Sequence, residues 1–539
     1  MSKSFKRSAI AVSTILLLLL AACSSQTEPG TAASTNKPEA TAAKRITVAV
    51  TQDSKGEKID ASTYNGARAV HSAIYDPLVE FGEGGKIEPG LATAWEVSED
   101  GKTYTFHLRE DVEFSDGSEF NAEAVKFSLA RTVANEENAS LEIARKLDKV
   151  ETSDAHTVVL QFKEMATQVL LELSQARPFR MMSPNAVNPA GAVDGEFVKP
   201  IGTGPWQLDS FKEGAETVLT ANEHYWKEKP SPYKLVFKVI TDPQARVLAL
   251  QNGEIDIAGG EVGNIPYESL PIFENNTKYT VEQHASTMSY FMVINQKNTF
   301  LADKNVRQAI NLGTDTSKMM NGQGAEVSGL FQSTVAFVTP DNQPSYGFKP
   351  DKAKQLLEAS GFQWNAGSKQ YEKDGKPIQL RLVIQTEEYP EWKEMAEIFQ
   401  SEMKNIGIKV DIANLERAAY YDALWTNKEY DLLLYRTYTD AQLPYRFLTS
   451  LFYHTDKTPG VAYQDEALTK QLDDIAKTTS TAEQQAIFDR IFGRMHEEAM
   501  TVPIYYTKQT FIHSKKIGNF AFGDIEDNPV KWHQLTIEE

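Results

Sequence analysis

Short β-type apolar runs alternate with helix-type segments from Lys44 almost to the C-terminus. That alternation restricts the chain to α/β architectures in which helices cover the faces of mostly buried sheets. Ile46-Thr47-Val48-Ala49-Val50 reads as a first strand, and the apolar segment Ala69–Val79 begins as a short helix that stops before Pro77. Trp95–Val97 and Thr103–Leu108 read as a hairpin turned at Asp100-Gly101. A second turn at Asp116-Gly117 leads to a helix over Ala122–Arg131, which Asn121 can cap. Farther along, strands are predicted at Leu235–Ile240, Ile255–Ala258, Tyr290–Ile294, Leu380–Gln385, Ile408–Ile412 and Tyr430–Tyr435. Helices are predicted at Pro243–Asn252, Lys304–Leu312, Asp351–Ala359 and Glu391–Ile406. No internal repeat is visible. A chain of 539 residues exceeds what one core can fill, so two or more packed lobes are expected.

The N-terminal stretch has a different character. Lys3, Lys6 and Arg7 precede a mostly apolar run, Ile10–Leu20, which is too short for a bilayer span of about 20 residues. A basic start, a short apolar core and small residues before a cut read as an export signal over residues 1–23. Cys23 is the single cysteine, so it staples nothing within the chain. Its setting, Leu20-Ala21-Ala22-Cys23, resembles the lipobox of bacterial lipoproteins, where this thiol is acylated and becomes the new N-terminus. The resemblance implies an extracytoplasmic protein anchored to the cell membrane by lipid. Residues 24–44 lack large apolar side chains and read as a flexible tether. The formal net charge of −19 makes nucleic acid or an anionic bilayer surface a poor partner.

The usual catalytic motifs are missing. No HExxH, P-loop or GxSxG run occurs, and Cys23 is consumed by the export reading. His496-Glu497-Glu498 lies on an amphipathic helix without a second histidine at zinc spacing. These features favour binding over catalysis, with no resident cofactor.

Leu91–Arg131 resembles the signature region of the family 5 extracellular solute-binding proteins of ABC importers. Ile201–Trp206, Asn222–Trp226 and the run DKNVRQAINLGTD around Val306–Ile310 match further family motifs in the expected order. The resemblance implies a two-lobe periplasmic-binding-protein-like fold (class II, family 5) with an inserted subdomain. The first lobe would comprise about 45–285 with the return segment 501–539, the insert about 80–199, and the second lobe about 286–500. Crossings near Ala285–Tyr290 and Met500–Tyr506 would restrict motion to a hinge that closes on ligand. The partners implied are ABC permease subunits and a small-molecule cargo, with the receptor acting as a monomer.

Within that family, Leu171–Pro184, LELSQARPFRMMSP, resembles the nickel-binding branch, in which a cleft arginine grips the carboxylates of a small metal chelate. The match falls on Arg177, with Arg180 as its basic neighbour. Arginine suits the role because its planar fork pairs bidentately with a carboxylate. Tyr435–His454, YRTYTDAQLPYRFLTSLFYH, resembles a second-lobe loop facing the cleft. It implies Tyr438 where a nickel receptor has a packing tryptophan and Gln442 where it has a tyrosine, with Arg436, Thr439 and Asp440 as polar neighbours. His454 is the implied metal contact, since imidazole suits nickel. Ser140 stands where the nickel receptor has another tryptophan. Arg68 and Tyr64 fall near its cleft methionine and tyrosine. Tyr505 and Tyr506 alternate on a strand, and Tyr506 is the one expected to face the cleft. The cargo implied is Ni(II) with an organic chelator such as L-histidine, or a larger metallophore rich in carboxylates. An oligopeptide or dipeptide receptor remains the alternative within the family, and a sensor lipoprotein that has lost transport the alternative outside it.

Overall fold

The computed structural model describes residues 44–52, 59–64, 68–82, 85–231, 233–320, 322, 324–438, 443–453, 460–462, 465–525 and 528–538. All of them belong to one unit, Lys44–Glu539. Cys23 and the leader lie outside the described residues, as do Thr439, Asp440, Gln442 and His454.

The organising element is a sheet of eleven strands. Its principal strands are β1 (Arg45–Val50), β2 (Trp206–Lys212), β3 (Glu216–Ala221), β4 (Lys234–Val239) and β5 (Ile257–Gly259). They continue with β6 (Tyr279–Ile294), β7 (Gln379–Ile384), β8 (Lys409–Asn414), β9 (Leu432–Arg436) and β10 (Thr501–Ser514). The spatial order is β2-β3-β4-β1-β5-β10-β6-β9-β7-β8, and Gly324–Ala325 adds a short pairing to β10. β1 runs parallel to β4 and β5, and β7 runs parallel to β8 and β9. Parallel neighbours need crossover connections, which the intervening helices supply.

Two antiparallel strands, β6 and β10, are long enough to belong to both halves of this sheet. Their register shifts between Ala285 and Ser289 and again between Tyr290 and Phe291. Sequence pattern exposes only Tyr290–Ile294 of β6. The preceding residues, Tyr279–Ala285, are polar and partly exposed, so no apolar run marks them. Pairing with Ala285-to-Tyr279 partners on β10 nevertheless continues the ladder through this polar stretch.

Each half has its own apolar core. One cluster gathers Ile46, Tyr75, Phe106, Phe120, Trp206 and Phe237 with the C-terminal Trp532. The other gathers Phe291, Ile310, Leu382, Trp392, Phe399, Leu433, Phe447 and Phe488. These are the two lobes. A separate four-stranded antiparallel sheet, Ala92–Val97, Thr103–Leu108, Thr157–Phe162 and Leu147–Asp154 in spatial order, stands within the first lobe's sequence. The helix Ala122–Ala134 packs on it. Asn121 caps that helix as its type predicts, its Oδ1 accepting the Ala124 amide at 3.1 Å. Leu443, just before the second-lobe helix Pro444–Phe452, packs with Phe81, Ala176 and Ile525 of the first lobe, so the lobes are in contact.

Candidate ligand-binding site

A cavity of about 370 Å³ lies where the lobes meet, and the first-lobe side of it is built on a loop and a bend. Asp60 fixes the loop. Its Oδ1 accepts the Ser62 amide at 2.9 Å and the Ser62 hydroxyl at 2.8 Å, while Oδ2 receives Arg131 at 2.6 and 3.0 Å. Asn138 then holds the Ser62 carbonyl at 2.9 Å. Tyr64 follows directly and opens onto the cavity.

The bend carries Arg177. Arg180 is buried beneath it and donates to the Gln175 and Tyr75 carbonyls at 2.8 and 3.1 Å, stitching the segment to the end of the helix Arg68–Ile74. A buried arginine satisfied by carbonyls is structural, and this separates Arg180 from its neighbour. Arg177 Nη1 donates to the Tyr64 carbonyl, and its guanidinium lies 5.2 Å from the Tyr64 ring centroid. Arg68 begins the adjacent helix and pairs with Glu261 at 3.1 Å.

The second lobe supplies the opposite wall. Arg436 ends β9, donates to the Tyr389 hydroxyl, and lies 5.3 and 5.0 Å from the Tyr389 and Tyr438 rings. Burial works against its charge, but the neighbouring Tyr389 and Glu261 more than offset this and hold it still more firmly protonated than usual. The Tyr438 hydroxyl meets that of Tyr435, and its ring packs edge-on against Phe447. Arg446 and Ser450, one turn apart on the helix Pro444–Phe452, both open onto the cavity. Arg446 Nη2 donates to the Tyr64 hydroxyl at 2.9 Å.

Glu172 is the buried acid of the lining. Its two oxygens accept the Glu142 and Ile143 amides at 2.7 and 2.9 Å. Burial nevertheless pushes its carboxyl up to about 7. The described lining thus joins four guanidinium groups, two carboxylates and an aromatic set of Tyr64, Phe179, Trp425, Tyr438 and Phe447. Such a surface suits a small, oxygen-rich anion with some apolar body.

Of the residues expected from sequence, Tyr64, Arg68, Arg177, Arg436 and Tyr438 line this one cavity. Tyr506 does not. Its hydroxyl is taken up by the Gly329 amide at 2.9 Å and the Phe331 carbonyl at 2.8 Å. Tyr505 packs against Tyr290 instead, so neither tyrosine of the pair opens onto the cavity. Ser140 is exposed on a turn off the cavity, and its neighbour Leu141 takes the lining position. Thr439, Gln442 and His454 lie outside the described residues.

Several lining residues were not anticipated. Arg446 stands inside the stretch Tyr435–His454, and its signal was helical periodicity. Phe447, Leu448, Leu451 and Phe452 are the buried face of that helix, which leaves Arg446 and Ser450 together on another. Glu172 and Glu261 carry no such signal, and Trp425 belongs to a turn of π-helix, Ala423–Asn427, that pattern does not reveal.

Residues 86–459 match the family model of bacterial extracellular solute-binding proteins, family 5 middle. The chain belongs to this family. The nickel-binding periplasmic protein of Escherichia coli (strain K12) is 31% identical over 463 residues, covering 84% of this chain and 87% of that protein. The crystal structure of an ABC transporter substrate-binding protein from Sinorhizobium meliloti superposes with a TM-score of 0.82 at 27% identity, covering 92% of this chain and all of the other. That of NikA from Brucella suis in complex with Fe(III)-EDTA gives a TM-score of 0.81 at 29% identity, over 92% of this chain and 100% of that one. This family 5 protein is therefore an extracytoplasmic solute-binding component of an ABC importer, with a two-lobe α/β fold, and binds rather than transforms its cargo.

Proposed function

We propose that this protein captures nickel as a small organic chelate, such as a nickel–histidine complex, and delivers it to its permease. The observation that carries the reading is the convergence of Arg177, Arg68, Arg436 and Arg446 on one cavity between the lobes. The chelator would supply most ligands to the metal, and the protein would read the chelator's carboxylates. Arg177 is the principal anchor and Arg68 a second, with Tyr64 and Tyr438 as aromatic walls. Thr439, Gln442 and the metal contact His454 belong to the same reading. The 31% identity to a nickel-binding periplasmic protein supports the metal, and the similarity to a protein crystallised with Fe(III)-EDTA supports the chelate. Lobes of about 45–285 with 501–539, and about 286–500, would hinge at the passage of β6 and β10 between them. Lipid on Cys23 would hold the receptor, a monomer, at the cell membrane beside the permease.

Arg177→Ala tests the anchor. A hydrogen bond to a charged group contributes about 1.5–3 kcal/mol, and Arg177 can offer two to one carboxylate. Chelate affinity is expected to fall by roughly a hundredfold or more by calorimetry, at about 1.4 kcal/mol per tenfold, with the circular dichroism of the fold unchanged. Unaltered affinity in a folded variant would remove Arg177 from the site.

A further inference from the structure

The first lobe carries a second cavity, of about 290 Å³, that shares no described lining residue with the cavity between the lobes. Phe81 and Ile525 line this second cavity and Leu443 lines the other. These three pack together with Ala176, so an apolar cluster separates the two spaces. The polar side of the second cavity is built by Ser72 of the helix Arg68–Ile74, by Asp76 and Tyr225, and by Asn528 and His533 of the C-terminal segment.

Unused hydrogen-bonding capacity gathers on these walls. Trp226 Nε1 and Thr203 Oγ1 both donate to Asp76 Oδ2, at 2.8 and 3.0 Å, and Oδ1 accepts nothing among the described residues. Asp76 is only 7% exposed, and burial pushes its carboxyl above the ordinary aspartate range. Tyr225 is 6% exposed and packs its ring against Trp226 and His533, while its hydroxyl makes no hydrogen bond among the described residues. Ser72 Oγ and Asn528 Oδ1 are buried and likewise have no hydrogen-bond partner. Burial lowers the His533 imidazole below its ordinary range, so one nitrogen of the neutral ring can accept. Native interiors satisfy nearly all such groups, and several on one cavity point to an occupant. The basic lining residues are already engaged: Lys227 with Glu80, Lys531 with Asp524 at 3.2 Å, and Arg180 with backbone carbonyls. The unmet demand is therefore for a donor. The described residues bring no three carboxylate, imidazole or thiolate groups together as a metal would need, so the donor is an organic one.

We infer that this cavity is a second binding site, for a small organic ammonium ion whose N–H groups bond Asp76 Oδ1 and the Tyr225 hydroxyl while its carbon body lies against Phe81 and Ile525. An ammonium group supplies the charge that a buried carboxylate otherwise lacks, and it brings up to three donors for the oxygens around it. The site does not depend on what the cavity between the lobes captures.

The test uses the full chain, isotope-labelled at tryptophan for nuclear magnetic resonance, with n-butylammonium chloride as the probe and n-butanol as its neutral counterpart. Trp226 donates to Asp76, so its indole N–H resonance, identified by its loss in Trp226→Phe, reports on the site. That resonance is expected to move saturably with n-butylammonium and not with n-butanol. Asp76→Asn removes the charge and should weaken binding by at least about tenfold, the low end for a charge-assisted hydrogen bond. Tyr225→Phe keeps the ring and removes only the hydroxyl, and should weaken binding by roughly two- to tenfold. No saturable movement in the wild-type protein, or an equal response to n-butanol, would mean a cavity holding water or any apolar solute and would overturn the site. Should Asp76→Asn fail to fold, Tyr225→Phe decides, and unchanged ammonium affinity in either folded variant would overturn the inference. Chelate binding between the lobes is measured separately, and its failure would leave this site standing.

Discussion

Replacing Asp60 by Asn should unsettle the cavity without touching it. The Asp60 carboxylate receives Arg131 at 2.6 Å, and both side chains are largely buried, at 7% and 13% exposure. Removing one partner of a buried ion pair typically costs about 3–5 kcal/mol, because the other charge is left uncompensated. Arg131 would retain its bonds to the Val193 and Gly195 carbonyls at 2.8 and 3.0 Å, which places the expected loss near the low end, about 3 kcal/mol. The same carboxylate also shapes the Ser62 turn. Tyr64, and with it the seats of Arg177 and Arg446, should therefore lose definition. Urea unfolding of the full chain reads the first effect through the transition of the first lobe, and chelate calorimetry reads the second. A stability loss below about 1 kcal/mol, the scale of an exposed ion pair, together with unchanged affinity, would refute the claim that Asp60 organises this wall.

Glu172 gives the protein a distinct pH response. Its carboxyl is raised from 4.5 to about 7 in the folded state, so the folded protein binds the extra proton, and its stabilising contribution is fully present below pH 4.5. That contribution is lost as pH rises through about 7, and Glu172→Gln should flatten the fall in melting temperature between these limits; a variant with the wild-type slope would contradict it. Leu443→Ala should act on closure. The side chain is 3% exposed with the lobes together, and reburying a leucine contributes about 1.5–3 kcal/mol, so affinity should drop roughly tenfold or more while urea stability of each lobe changes little. Equal affinity would show that this cross-lobe contact does not help to hold the closed form.

Much of the fold could be read from local pattern because its helices and central strands carry strong signals. The helix Lys304–Leu312 has the bounds its periodicity predicts, with Asp303 accepting the Asn305 amide at its start. The long strands β6 and β10 were harder, since pairing rather than apolar content sustains the polar half of β6. The same division applies to the cavity. Arg177 and Tyr438 stood in stretches that resemble family motifs, and the cavity brings them together with Tyr64, Arg68 and Arg436. Tyr506 shows the limit of alternation: a strand face can point into packing, as the bonds of its hydroxyl to Gly329 and Phe331 do, rather than into a cleft. Arg446, Glu172 and Glu261 join the site through folding of segments far apart in sequence, a long-range placement that local pattern does not encode.

Calorimetry of the metal-free wild-type protein tests the central claim most directly. Nickel chloride alone is compared with nickel plus excess L-histidine and with nickel–nitrilotriacetate. A receptor that reads carboxylates through Arg177, with Arg68 as a second contact, gives no saturable heat with the bare ion and saturable heat with a chelate. Saturable binding of bare nickel as tight as that of either chelate would contradict the account, because the metal would then be held by the protein's own ligands rather than by a chelator seated among the arginines.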